Sequence, residues 1–208
     1  MRKLLMMGLI WLLGGLALAH AQGRNYQAGV DYIELPAVAP TQEPDKIEVA
    51  ELFWYGCGHC FSFEPIISDW KKTLPEDVNF RPVPALFGGL WDTHGQLFYT
   101  LESLDQLGET HSAIFQAIHN QNNRLADEKA MIKLVTQYGV DEDEFRKTWA
   151  SPGVKLKMTQ AKRLAKAYRA SGVPTLIVNG KYRIEGSMAG SFEEMLNIAE
   201  YLIDQERS

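Results

Sequence analysis

Two residues in this 208-residue chain can pass electrons reversibly between themselves and a partner: Cys57 and Cys60, its only cysteines. Separated by Gly58 and His59, they can close a small disulfide ring and reopen it by exchange with another thiol. A structural staple is a poor use for the pair, because the loop is tiny and disulfide stabilisation grows with loop length. Haem attachment would need a histidine directly after the second cysteine, and position 61 is Phe. A tetrahedral zinc site would need two more ligands. His94, His111 and His119 offer no paired ligand spacing, so they read as surface or satisfied core residues and no metal site is expected.

Redox work by such a pair needs one thiol to ionise easily, and a helix N-terminus provides for that through free N–H groups and the positive end of its dipole. The sequence places the pair there. Residues 47–54 form an apolar run with both parities filled, which suits a strand covered on both faces. After the cysteines, Phe63, Ile66, Ile67 and Trp70 make the stripe of an amphipathic helix, with Pro65 inside it predicting a kink. Cys57 then caps the helix as the attacked thiol, and Cys60, one turn in, is the resolving one. His59 adds positive charge and a hydrogen bond, and Gly58 lets the chain turn without side-chain bulk. Glu51 interrupts the strand six residues before Cys57. It reads either as a strand end reaching solvent or as a buried carboxylate beneath the thiols, coupling proton movement to redox change.

The remaining elements frame this unit. A short strand is expected at 32–35, and a second at 78–86 whose Pro82 and Pro84 require an edge or an end. From Gly88-Gly89 the chain reads as helix after helix, through a capping box at Asp141 and Glu144, to a basic helix over 153–170 with Leu156, Leu164, Ala165 and Tyr168 inward. Asn179-Gly180 is a type I′ hairpin signal, and Ser191 with Glu194 opens a last helix. Strands on either side of a helical block predict an α/β sheet domain with an all-helical insertion.

Residues 1–21 are set apart. Arg2 and Lys3 precede an apolar run over 4–18 and an Ala19-His20-Ala21 cleavage site, so a leader removed after Ala21 is expected. The formal charge of −5 becomes −7 once those two basic residues are gone, which disfavours nucleic acid and anionic lipid as partners. A composition 46% apolar and 23% charged excludes a disordered chain. Export places the cysteines where disulfides persist.

Glu51-Leu52-Phe53-Trp54-Tyr55-Gly56-Cys57-Gly58-His59-Cys60, with Val173-Pro174-Thr175 far downstream and a long helical block between, resembles the DsbA family of periplasmic thiol oxidases. The resemblance implies a thioredoxin fold built from residues 22–87 and 171–208, with residues 88–170 as the helical insertion. It implies a cis peptide before Pro174, with Val173 and Pro174 beside the cysteines where client backbone binds. It also implies catalysis by Cys57 and Cys60 with His59 and Glu51 in support, and a basic neighbour for Glu51 that aligns with Arg81.

The expected function is oxidation of reduced, unfolded exported proteins without a cofactor, followed by reoxidation through a DsbB-type, quinone-linked membrane partner. One departure stands out: the family usually has Pro where this chain has Gly58, and CGHC is the sequence of eukaryotic protein disulfide isomerases. Gly58 is therefore expected to leave the pair oxidising, but less so than a CPHC relative. An isomerase or reductase is the nearest alternative, and a non-catalytic metal-binding protein a more distant one. Bacterial isomerases of this type resemble dimers with an added N-terminal dimerisation domain, for which the few dozen residues between Gln22 and the Ile47 strand leave no room, and this weighs against the isomerase; a monomer is expected.

Overall fold

The structure is a computed structural model that describes residues 25–208. The expected leader and its expected cleavage point lie outside the described residues. A five-stranded sheet has the order β1-β5-β4-β2-β3, with β1 at Ile33–Glu34, β2 at Ile47–Phe53, β3 at Val78–Pro84, β4 at Thr175–Val178 and β5 at Tyr182–Glu185. β2 and β3 run parallel, and every other pairing is antiparallel. β3 forms one edge, where its two prolines can sit without removing a donor the sheet needs. Asn179 and Gly180 both take positive φ between β4 and β5. A Cβ at Gly180 would lie 2.1 Å from the Ala39 carbonyl oxygen, so the tight approach of that loop also demands glycine.

Between β2 and β3 lies α1 (Gly58–Trp70), which runs unbroken through Pro65. Between β3 and β4 the chain forms α2 (Leu90–Ser103), α3 (Leu107–Asn120), α4 (Glu128–Val135), α5 (Glu142–Trp149) and α6 (Pro152–Ala167). The four-residue α7 (Gly186–Ala189) and the long α8 (Phe192–Arg207) follow β5. Four helices begin at side-chain caps the sequence signals or allows: Asp127, Asp141, Ser151 and Ser191 each accept from a backbone N–H three residues on.

The sheet separates two apolar clusters. On one face Val49, Leu176 and Ile184 pack with Phe63, Ile67 and Trp70 of α1 and with Met195, Ile198, Ala199 and Leu202 of α8. On the other, Ala50, Leu52 and Ile177 meet the helical block through Phe98, Phe115, Phe145 and Leu164. One expected core residue is misplaced. Leu156 is 59% exposed, because the inward stripe of α6 runs through Val154, Ala161, Leu164 and Ala165, and a position two past Val154 is turned well away from it. The four-residue α7 has no counterpart in the expected elements; four residues show no periodicity to read.

Candidate active site

Cys57 is the N-cap of α1, with extended backbone, and its Sγ accepts a hydrogen bond from the Cys60 N–H at 3.4 Å. Both cysteines are free thiols; Cys57 is half-buried and Cys60 is buried. A hydrogen bond from the Cys60 thiol, followed by the backbone N–H groups of Cys60 and His59 and the nearby His59 side chain, brings the Cys57 thiol down to about 6. Partial burial opposes this and loses. Cys60 moves the other way. Burial first, then its hydrogen bond to Cys57 and the negative charge of Glu51, push its thiol far above the ordinary range.

Opposite the pair, the Val173–Pro174 peptide is cis, as the resemblance implies. The Val173 carbonyl oxygen lies 3.5 Å from Cys57 Sγ, where the thiol form can donate to it. A groove of about 530 Å³ runs along this segment, between His59 on one side and Gly186, Ser187 and Phe192 on the other. Phe192 is stacked on Phe63, with ring centres 5.0 Å apart, so the groove wall is anchored to α1.

Glu51 does not reach solvent at a strand end. It is 3% exposed, and burial, reinforced by the charge of Glu64, raises its carboxyl to about 8; Lys71 pulls the other way. The basic partner is not Arg81. The register sets Arg81 beside Ala50 and Pro82 beside Glu51, which turns the guanidinium to the opposite face of the sheet. There it pairs with Glu48 at 3.6 Å. The cation near Glu51 is Lys71, just after α1, and the two line one cavity of about 180 Å³.

The three downstream histidines turn out to have partners around the cysteine loop or near it. His111 Nδ1 meets the Tyr55 hydroxyl at 2.7 Å, and its Nε2 lies 3.4 Å from Glu64. His119 Nε2 is 2.8 Å from the Tyr55 carbonyl oxygen, and its ring stacks on Phe61. His94 is buried with Nε2 3.0 Å from the Arg124 carbonyl oxygen. Tyr55, two residues before Cys57, is thus held at both its polar ends by α3. Beside it Trp54 stacks on Trp91 at 4.0 Å, and a Cβ at Gly56 would lie 2.3 Å from the Trp54 ring. Tyr55, Glu64 and His111 were not singled out as a group from the sequence. Only Glu64, one turn from Cys60 on α1, carried a local signal.

Comparison with known proteins places this geometry. A family model described as the DSBA-like thioredoxin domain matches residues 76–197. Over 208 residues the chain is 46% identical to the thiol:disulfide interchange protein DsbA of Pseudomonas aeruginosa, covering 100% of this chain and 98% of that one. The chain belongs to the DsbA family. It is 52% identical to the corresponding protein of Azotobacter vinelandii, over 88% of this chain and 86% of that one. Among solved structures, that of Pseudomonas aeruginosa DsbA superposes with a TM-score of 0.84 at 49% identity, covering 88% of this chain and 95% of that one. Another, of Xylella fastidiosa DsbA, gives 0.82 at 33% identity, covering 88% and 98%. The fold is accordingly the DsbA-like thioredoxin fold, and the chain is a thiol:disulfide oxidoreductase of that family.

Proposed function

We propose that the chain acts in the periplasm as a thiol:disulfide oxidase, giving the Cys57–Cys60 disulfide to reduced, unfolded exported proteins. What carries this reading is the asymmetry of the pair, one thiol lowered to about 6 at a helix N-terminus and the other buried and raised. A client thiolate attacks Cys57 Sγ, the S–S bond breaks, and the electron pair leaves on Cys60, which takes up a proton. In the second step another client thiolate attacks the client sulfur of the mixed disulfide, and Cys57 departs as a stable thiolate. Two electrons have then passed from client to pair. A leaving group that ionises readily favours this direction.

Glu51 carries a proton at neutral pH and lies close enough for its charge to act on Cys60, so it supplies the proton that the departing sulfur needs. Client backbone lies along Val173-Pro174. Gly186, with no side chain, and Ser187, with a small one, leave the groove open to varied sequences, which suits a general oxidase. The pair is reoxidised by a DsbB-type, quinone-linked membrane protein, the leader is cleaved after Ala21, and the protein works as a monomer. Gly58 favours the isomerase as second reading. Measuring oxidation of a reduced client against unscrambling of a misoxidised one decides between them, the first being expected to dominate. A glutathione titration that gives a potential near thioredoxin's would overturn the oxidase reading.

A further inference from the structure

We propose that the cavity between α6 and the edge strand β3 binds a single carboxylate carried on a short apolar body, with Arg81 and Arg163 as the cations that hold it. The cavity lies on the face of the sheet turned away from α1, and none of its lining residues also lines the groove beside Pro174. Its volume of about 450 Å³ falls within the roughly 300–1,000 Å³ of small-molecule sites. The basic character of α6, for which the redox reaction has no use, finds a role here.

The register of β3 puts Arg81 on this face. Its side chain is only 15% exposed, and its one partner among the described residues is Glu48, 3.6 Å away from Nη1 to Oε1, which is too long for a hydrogen bond. A guanidinium carries five N–H donors in a fixed fork. Among the described residues, none of those of Arg81 is spent on an acceptor. Glu48 is better served, since its Oε2 also accepts from the Gln42 N–H at 2.8 Å. Arg81 therefore has a counter-charge but lacks an oxygen to bond, and a carboxylate entering the cavity supplies two, in the bidentate geometry that the fork matches.

The polar side chains of α6 divide between two sides. Lys157 and Lys162 are taken up by α2, in ion pairs with Glu102 and Asp92. Arg163 and Gln160 line the cavity instead, and neither side chain makes a hydrogen bond or ion pair among the described residues. Leu164, Ala167 and Pro40 add an apolar wall. The charges choose the ligand. Two arginines less the Glu48 carboxylate leave one positive charge, which a carboxylate cancels and a phosphate dianion exceeds. The wall selects a hydrocarbon body over a bare ion, because a bare ion would be desolvated there without return. The chain as a whole carries a charge of −5, so attraction of an anion is local to this cavity. A free organic acid and the last residue of a peptide share the required chemistry.

N-Acetyl-leucine, one carboxylate on an isobutyl body, is the probe, followed through backbone amide shifts of the isotope-labelled protein. Saturable shifts are expected at Gln42, Arg163 and Ala167, with a Kd on the order of 1 mM for a ligand of about a dozen non-hydrogen atoms. N-Acetyl-leucinamide, which lacks the charge, and inorganic phosphate, which lacks the body, should each bind about tenfold more weakly or worse. Arg163→Gln, at an exposed position that the fold does not depend on, should weaken binding of the acid about tenfold. Arg81→Lys keeps a cation for Glu48 while removing the fork, and should weaken it by about the same factor. A peptide ending in leucine tells the two sources apart: tighter binding than the free acid assigns the site to chain termini, and weaker binding assigns it to free organic acids. Absence of saturable shifts, equal affinity for acid and amide, phosphate bound as tightly as the acid, parental affinity in either variant, or shifts confined to Val173 and the groove beside it would overturn the proposal.

Discussion

Two glutamates three residues apart on β2 are equally hidden from water and have opposite fates. Glu48 points toward the helical block, where its carboxylate meets the Arg81 guanidinium at 3.6 Å and accepts from the Gln42 N–H at 2.8 Å. Glu51 points toward α1, into a cavity whose nearest strong influence besides burial is another carboxylate, Glu64. The first has its charge met by protein groups. The second is left short of them and holds a proton in the neutral range. Alternation along one strand is enough to put a structural acid on one face and a chemically available acid on the other.

Breaking the satisfied side should cost most. Glu48→Ala leaves the half-buried Arg81 guanidinium unpaired, and a loss of about 3–5 kcal/mol is expected in urea unfolding. The Cys57 titration should not move. Glu51→Gln should do the reverse. An acid whose folded value lies above its ordinary one destabilises the fold increasingly as pH rises from 4.5 to about 8 and by a constant amount beyond. Removing it should thus stabilise the protein by about 2–4 kcal/mol at pH 8, with the gain fading to nothing below pH 4.5. A gain that persisted at pH 4 would show that the site is strained for some other reason.

A smaller signature belongs to the parent. Below pH 6 reduction of the pair takes up two protons with its two electrons, and above pH 6 only Cys60 keeps one. The potential should therefore fall by about 59 mV per pH unit below this point and about 30 mV above it. The stability that the Cys57 thiolate lends the reduced fold follows the same sign: absent below pH 6, complete above 9. Gly58→Pro should have the least effect. Position 58 opens α1, where proline fits, and nothing lies within 4 Å of a Cβ there. A rise in potential of roughly 30 mV, or 1.4 kcal/mol for this couple, is expected by glutathione titration.

Much of the fold was readable because its signals are local. The period of β2, the Phe63 to Trp70 stripe, the Asn179-Gly180 turn and the Ser191 cap each lie within a few residues of one another, and the segments they predict form. What escaped was held by distance in the chain. Tyr55 and His111 meet across 56 residues, and His119 reaches the Tyr55 carbonyl oxygen across 64. Each histidine alone is unremarkable; their convergence depends on how α3 docks on α1. Arg81 failed as a partner for Glu51 for a different reason. Family resemblance gives its position along the chain, while a register of single residues decides which face it takes.

The stacked indoles of Trp54 and Trp91 give the cysteine loop a built-in optical reporter. Two chromophores 4.0 Å apart and 13° from coplanar couple their electronic transitions, so their circular dichroism should contain a paired band that neither ring has alone. Because Trp54 lies three residues before Cys57, loss of that band would register disorder of the loop without any label attached.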